Sequence, residues 1–161
     1  MLALVITTLK GNMEHKTTFK LLALTCISLS GCTVINVKPV EKNTNDVNAI
    51  CIEENKAVKK DGFLPMIEER LTAHQISSQR YIGTIPQPCV YTLHYVAHWN
   101  WDLAVYLTDA DIAIRKGGDT IGQATYHLKN KGGLALSKFA SAESKMVPLL
   151  DQLLEQFPRT P

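Results

Sequence analysis

The sequence lacks the short motifs that mark the common enzyme classes. Its 161 residues contain no GxSxG nucleophile elbow, no Walker loop, no HExxH pair and no GxGxxG fingerprint. The glycine pairs Gly117-Gly118 and Gly132-Gly133 have the composition of turns, because neither opens a helix at the spacing that phosphate binding needs. We therefore predict a protein that is not an enzyme and that needs no cofactor.

The sequence also lacks a large excess of charge of either sign. Lysine and arginine number 17, aspartate and glutamate number 15, and the formal net charge is +2 without a long basic run. Nucleic-acid binding needs clustered basic side chains to neutralise phosphates. The composition therefore predicts no nucleic-acid partner.

Candidate metal ligands are few and poorly spaced. His94 and His98 are expected on one solvated face of a strand, where four residues at about 3.3 Å each place them roughly 13 Å apart, too far to share an ion. His127 comes from a later segment, and the sequence leaves its position open. A loose acidic series follows His98 and consists of Asp102, Asp109, Asp111 and Asp119. That series lacks the glycine and terminal glutamate of an EF-hand loop, so we predict no metal site.

The most informative segment is a basic and then apolar stretch that ends in a cysteine. Lys16 and Lys20 precede an apolar run over residues 21–29, which suits a secretory signal and is too short to span a bilayer. Small residues then lead into Cys32 in the order Leu-Ser-Gly-Cys. The segment resembles the signal peptide of a bacterial lipoprotein. The resemblance implies removal of residues 1–31, acylation of Cys32, with palmitate among the acyl chains, and membrane attachment through that lipid.

Two neighbouring features refine this interpretation. Thr33 stands where lipoproteins retained in the inner membrane carry aspartate, so the resemblance implies an outer-membrane lipoprotein that faces the periplasm. Residues 1–12 add a second apolar stretch, which is either a false start ahead of Met13 or part of a long signal anchor. Removal of residues 1–31 takes away three lysines and one glutamate, so the net charge of +2 falls to zero.

Two further cysteines, Cys51 and Cys89, belong to the folded part of the chain. An oxidising periplasm favours a disulfide between them, and closing a loop of about 38 residues stabilises a fold by roughly 4 kcal/mol. The alternative is a pair of buried, reduced thiols packed as small apolar groups. No CxxC motif is present, which argues against a catalytic thiol.

The first half of the chain predicts one strand and one helix. Residues 32–46 are mixed and polar, and we interpret them as a lipidated tether, although residues 34–37 could form a short strand instead. Residues 49–54 are rich in apolar and β-branched side chains and predict a strand. A helix is predicted next from apolar residues at helical spacing, namely Leu64, Ile67 and Leu71. Residues 77–88 are either a loop or a weak edge strand.

The second half predicts three strands and a helix. Residues 89–101 alternate strictly, with an aromatic face towards the core. Residues 103–115 change phase, which places a bulge within residues 108–111. A turn at residues 116–119 leads into a strand over residues 121–128, with Ile112 and Ile114 opposite Ala124 and Gly122 across a three-residue loop.

A C-terminal helix is predicted from an apolar stripe that runs from Met146 to Phe157. Its N-cap is either Ser144 or Ser141, and the second choice places Pro148 deeper inside the helix. The predicted order is β-α-β-β-β-α within residues 47–158. This is a single α+β domain with a mixed, mostly antiparallel sheet and two helices packed on one face.

The chain as a whole resembles a family of uncharacterised proteobacterial envelope lipoproteins, the Sbal_3214 type. Four short segments carry the resemblance: Pro88-Cys89-Val90-Tyr91, Trp101-Asp102-Leu103-Ala104, Ile121-Gly122-Gln123-Ala124 and Pro148-Leu149-Leu150. The resemblance implies an envelope location and brings no activity with it.

Trp99 and Trp101 form the most distinctive candidate site. They are two residues apart on one strand face, which suits either core packing or an aromatic anchor for a partner. We predict a non-enzymatic domain that binds or supports an envelope protein or polymer. The alternative is an anchored hydrolase that acts on envelope glycan or peptide through Asp102, Asp109 and Asp111. A metal carrier that uses His94 or His98 is a third hypothesis.

Overall fold

The computed structural model describes residues 33–159 and places them in two layers. One layer is a six-stranded sheet formed by β1 (Thr33–Lys38), β2 (Ala49–Glu53), β3 (Ser77–Tyr81), β4 (Tyr91–Asp102), β5 (Ala104–Lys116) and β6 (Asp119–Leu128). The other layer consists of helices α1 (Phe63–Ala73) and α2 (Ala142–Leu153). Two 3-10 turns, Lys129–Gly132 and Leu136–Phe139, connect β6 to α2. The predicted α+β class is confirmed.

The sheet is mixed, with the strand order β1-β6-β5-β4-β2-β3. The pairs β1–β6, β6–β5 and β5–β4 are antiparallel, whereas β2 lies parallel to both β4 and β3. Helix α1 makes the crossover between the parallel strands β2 and β3, as such a connection requires. In the part of the chain that the structure describes, no helix combines the length and apolar character needed to cross a bilayer.

Both edge strands differ from the leading sequence prediction. The tether predicted for residues 32–46 is wrong over Thr33–Lys38, because these residues form β1 and pair with β6 from Thr33 opposite Leu128 to Lys38 opposite Gln123. The strand alternative for this segment is confirmed. At the other edge, Ser77–Tyr81 forms β3 beside β2, which confirms the edge-strand alternative for that segment.

The predicted bulge is confirmed in β5. His98 of β4 lies opposite Asp109, but the next residue, Trp99, lies opposite Leu107, so Thr108 has no residue opposite it on β4. This extra residue reverses the inward-facing phase of β5, which explains why Leu107 and Ala110 are both buried.

The β5–β6 hairpin has the predicted register and a different turn. Ile112 and Ile114 lie opposite Ala124 and Gly122, as expected, but Lys116 pairs with Asp119 across the two residues Gly117-Gly118. The predicted three-residue loop is therefore wrong. A second bulge at Ile121 makes the register compatible with the shorter turn, whose glycines have φ of 59° and 99°.

The helices cover one face of the sheet and enclose the core. The large side chains that are almost fully buried come from both layers: Ile50, Ile52, Ile67, Leu71, Ile76, Leu93, Leu107, Ile112, Ile114, Met146, Leu150 and Leu153. Burial of each such side chain contributes about 1.5–3 kcal/mol before conformational entropy is counted. Arg70 of α1 bonds the Asp151 carboxylate of α2 at 2.7 Å, and His74 lies 3.2 Å from the same oxygen, which joins the two helices.

Helix α2 begins at the second of the two predicted caps. The Ser141 hydroxyl accepts a hydrogen bond from the Ser144 amide at 3.0 Å, so Ser141 is the N-cap. Pro148 consequently lies inside the helix, as the choice of Ser141 as the cap implies.

Candidate functional site

The predicted lipidation site, Cys32, lies outside the described residues, but its neighbour has a defined place. Thr33 is the first residue of β1 and is already paired with Leu128. The first described strand therefore begins at the residue that follows the predicted lipidation site.

The predicted disulfide is present. Cys51 of β2 and Cys89, which precedes β4, are bonded with their Cα atoms 6.0 Å apart. Ile50 and Ile52 point into the core, so Cys51 projects to the opposite, helix-free side of the sheet, which we call the open face. The bond fixes the connection of residues 82–90 against that face, beside a cleft of about 440 Å³.

Three adjacent strands bring polar side chains together on the open face. His98, Asp109 and His127 lie at one level of β4, β5 and β6, although they are far apart in sequence. Asp111 of β5 and Thr125 of β6 lie opposite each other, two residues along their strands from Asp109 and His127 and on the same face. The Asp111 carboxylate accepts a hydrogen bond from Gln123 at 2.7 Å. We call His98, Asp109, Asp111, Thr125 and His127 the polar strip. They line a shallow depression of about 250 Å³.

Asp109 is the electrostatic centre of the polar strip. Partial burial raises the pKa of its carboxyl, but hydrogen bonds from the His127 ring and the Thr108 hydroxyl, together with the charges of His127 and His98, outweigh burial and leave the pKa below its ordinary value. The Asp109 side chain is therefore held as a hydrogen-bonded carboxylate at neutral pH.

The predicted separation of His94 from His98 is present in the structure. The His94 ring lies 2.5 Å from the Glu53 carboxylate and 3.1 Å from the Thr92 hydroxyl, whereas His98 belongs to the polar strip. Over residues 33–159, no three histidine, cysteine, aspartate or glutamate side chains are grouped so that they could hold a metal ion.

The carboxylates of the hydrolase hypothesis do not share one site. Asp109 and Asp111 lie on the polar strip, but Asp102 ends β4 and pairs with Lys138 at 2.5 Å. Asp119 lies at the β5–β6 turn. The structure therefore separates Asp102 and Asp119 from the other two.

The two tryptophans also separate. Trp99 packs edge-to-face on Phe63 of α1, with ring centroids 5.5 Å apart, and contributes to the core. Trp101 lies two residues further along β4 and is 70% exposed. The core alternative is thus confirmed for Trp99, which packs against the core, and is wrong for Trp101.

Trp101 belongs to a larger apolar surface at the end of the β4–β5 hairpin. Its exposed members, which we call the tip surface, are Trp101, Leu103 (86%), Val105, Leu134 (100%) and Leu136 (83%). Sequence reasoning missed the leucines of this set. The signal was present at Gly133-Leu134, where a large apolar residue follows a glycine pair in a turn segment.

Two lysines, Lys138 and Lys145, connect the β4–β5 hairpin to the loop that carries Leu134 and Leu136. The buried Lys138 ammonium donates to the Asp102 carboxylate at 2.5 Å and to the Gly133 carbonyl at 2.8 Å, and it lies 5.4 Å from the centroid of the Tyr106 ring. Lys145 of α2 donates to the Lys138 carbonyl at 2.6 Å, and burial lowers the pKa of its ammonium. The loop that carries Leu134 and Leu136 is therefore fixed against the hairpin.

Comparison with known proteins gives structural likeness alone. No protein-family profile and no curated protein sequence match this chain. The fold is similar to that of a PelC dodecamer from Paraburkholderia phytofirmans, with a TM-score of 0.49 and 11% identity, covering 80% of this chain and 99% of that chain. A point variant of that PelC, also a dodecamer, has a TM-score of 0.46 and 13% identity, covering 76% of this chain and 94% of that chain. At these values the likeness carries no conclusion about function.

Proposed function

We propose that the mature chain is a lipid-anchored domain of the bacterial outer membrane that faces the periplasm. In this proposal it binds another envelope component, a protein or a polymer, through the polar strip, and it does not catalyse a reaction. The observation that carries the proposal is that the helices cover only one face of the sheet. Both helices pack on one face, and the other face presents hydrogen-bonding side chains from β4, β5 and β6 in register.

The start of the fold supports the lipid anchor. Thr33 directly follows the cysteine of the predicted signal and is also the first residue of β1. Cleavage before Cys32 would therefore leave every described strand intact, and the lipid would be attached at the edge of the sheet. Cleavage further along the chain would remove part of β1 from its pairing with β6.

The electrostatics of the polar strip favour binding over acid–base catalysis. A general acid at neutral pH needs a carboxyl whose pKa is raised towards 7, whereas the pKa of Asp109 is lowered. Asp111 has its carboxylate occupied by Gln123. An ionised, oriented carboxylate beside two imidazoles is suited to accepting hydrogen bonds from hydroxyl or amide groups of a partner.

Site-specific photocrosslinking in the bacterium that encodes the chain tests this proposal. A photoreactive residue at Val96 or Thr125, on the open face, should give one reproducible crosslinked product. The same residue at Gln152, on the exposed side of α2, is the matched control and should not. The product should weaken strongly in D109A, because that change removes the central acceptor of the polar strip.

Three results would contradict the proposal. Equal crosslinking from Gln152 would place the partner elsewhere, and an intact mass without acyl chains on Cys32 would remove the anchor. Turnover of an envelope glycan or peptide that is lost in both D109N and D111N would establish the hydrolase alternative instead.

A further inference from the structure

The most exposed apolar side chains lie at the end of the sheet where the chain enters it. Among residues 33–159, the four large apolar side chains with the greatest exposure are Leu134, Leu103, Leu136 and Trp101, and all four belong to the tip surface. Such a concentration at one end of a domain marks an interaction surface rather than ordinary surface composition.

The strand register places the predicted anchor at this same end. Strand β1 begins at Thr33 opposite Leu128 and runs inward to Lys38, so the chain that precedes Thr33 leaves the sheet at the end that carries the tip surface. Through β6 and β5, the level of Thr33 corresponds to that of Trp99 on β4. Leu103 is four residues further on, so the hairpin extends about 13 Å beyond that level.

The segment that would connect the proposed lipid anchor to the sheet is very short. After the proposed cleavage, Cys32 alone would precede Thr33, the first paired residue of the described chain, and one residue spans at most about 3.6 Å. An acylated Cys32 would therefore hold this end of the sheet against the bilayer. A hairpin that extends about 13 Å past Thr33 then reaches the boundary between headgroups and acyl chains, where interfacial segments bury their apolar side chains by about 5–10 Å.

The chemistry of the tip surface also suits a bilayer. Tryptophan is favoured at the membrane interface because its ring is apolar and its N–H is polar. Exposed Lys129 and Lys131 lie in the turn that directly follows β6 at this end, where they can meet anionic headgroups. The nearby Asp102 is paired with Lys138, so it does not oppose them.

Leu103 adds an independent indication. It has a φ of 61°, a region that glycine, asparagine and aspartate adopt more readily than leucine. Its side chain is among the most exposed in the described chain, so packing within the domain gives no reason for an apolar residue at this strained position.

From these observations we infer that the tip surface inserts into the interface of the membrane that holds the lipid anchor. The inference rests on the proposed lipidation of Cys32 and adds an orientation to it. In this orientation the β4–β5 hairpin is embedded in the interface and the strands of the sheet run away from the membrane surface. The polar strip then lies just outside the headgroups. The occupant of the tip surface is thus the bilayer itself.

Fluorescence of the purified, acylated protein in vesicles tests the inference. The vesicles contain phosphatidylethanolamine and phosphatidylglycerol, with or without lipids that are brominated on the acyl chains. W99F leaves Trp101 as the reporter, and W101F leaves the core residue Trp99 as the control. Brominated lipid should quench the emission of Trp101 several times more strongly than that of Trp99.

A matched pair of aspartate variants separates insertion from general effects of charge. In the W99F background, L103D should lose most of the quenching of Trp101, and it should fold because aspartate tolerates the φ of position 103. V90D is the control, since Val90 is also exposed but lies at the other end of β4, about 40 Å from Leu103. Quenching should be unchanged in V90D.

The outcomes distinguish the two proposals. If the intact mass shows acylation and brominated lipid does not quench Trp101, the inference is overturned and the lipid anchor stands. A Trp101 emission that is blue-shifted but unquenched would also overturn it, because a protein, such as a second copy of the chain, would then cover the tip surface. Absence of acyl chains would instead overturn the proposed anchor.

Discussion

Reduction of the Cys51–Cys89 bond should lower the free energy of unfolding by about 4 kcal/mol. The bond spans a sequence separation of 38 residues, and release of that constraint on the unfolded chain costs this amount in the loop-closure model. Domains of this size are commonly stable by 5–15 kcal/mol. Loss of the bond would therefore remove a large share of the total stability.

Urea denaturation of the protein with and without reductant measures this effect. Trp99 is a suitable reporter, because its ring packs on Phe63 between sheet and helix and should become exposed on unfolding. At an ordinary slope of about 2 kcal/mol per molar urea, the midpoint should fall by about 2 M. The slope itself should rise slightly, because an unfolded chain without the cross-link exposes more surface.

A double variant, C51A/C89A, provides the control. Its unfolding should be insensitive to reductant, and it should be about 1 kcal/mol less stable than the reduced protein, because the sulfur atoms of buried Cys51 and half-buried Cys89 are lost. A change of less than about 1 kcal/mol on reduction of the unsubstituted protein would refute the reasoning. An equal response of the double variant to reductant would show that the effect does not arise from this bond.

Three further substitutions test other parts of the structure. Ser141→Ala removes the N-cap of α2 and should cost about 1 kcal/mol in thermal unfolding, so an unchanged melting temperature would refute the cap. Gly122→Ala places a methyl group against the Val40 side chain and should cost about 1–3 kcal/mol in urea unfolding, and a neutral result would contradict this close approach. The Asp109 carboxyl should titrate in NMR below the ordinary aspartate pKa, so its contribution to folding is present above that ordinary value and is lost as the pH falls through the lowered one. His127→Ala should raise the pKa of Asp109, and no change would show that the imidazole does not stabilise the carboxylate.

Periodicity in the sequence predicted the central strands and both helices. Strands β4, β5 and β6 each bury alternate side chains, and the phase change in β5 is sufficient to place the bulge within residues 108–111, where the register assigns it to Thr108. For the edge strands the sequence supports a strand only as one of two alternatives. Side chains in β1 and β3 are mostly exposed, so neither strand shows a clear apolar alternation, and their pairing depends on the backbones of β6 and β2.

The same distinction, between what the sequence pattern predicts and what depends on tertiary pairing, applies to the candidate sites. The sequence alone favoured the cysteine pair, because the compartment that the predicted signal implies makes Cys51 and Cys89 natural partners, and the structure decided between the bond and two reduced thiols. The sequence could not place His98, Asp109 and His127 together, because their contact depends on the register of three strands. It could not separate Trp99 from Trp101 either, since both share one strand phase. Only the tertiary structure decided that Trp99 packs on Phe63 of α1 and is partly buried, whereas Trp101 lies on the tip surface at the end of the sheet where the chain enters it.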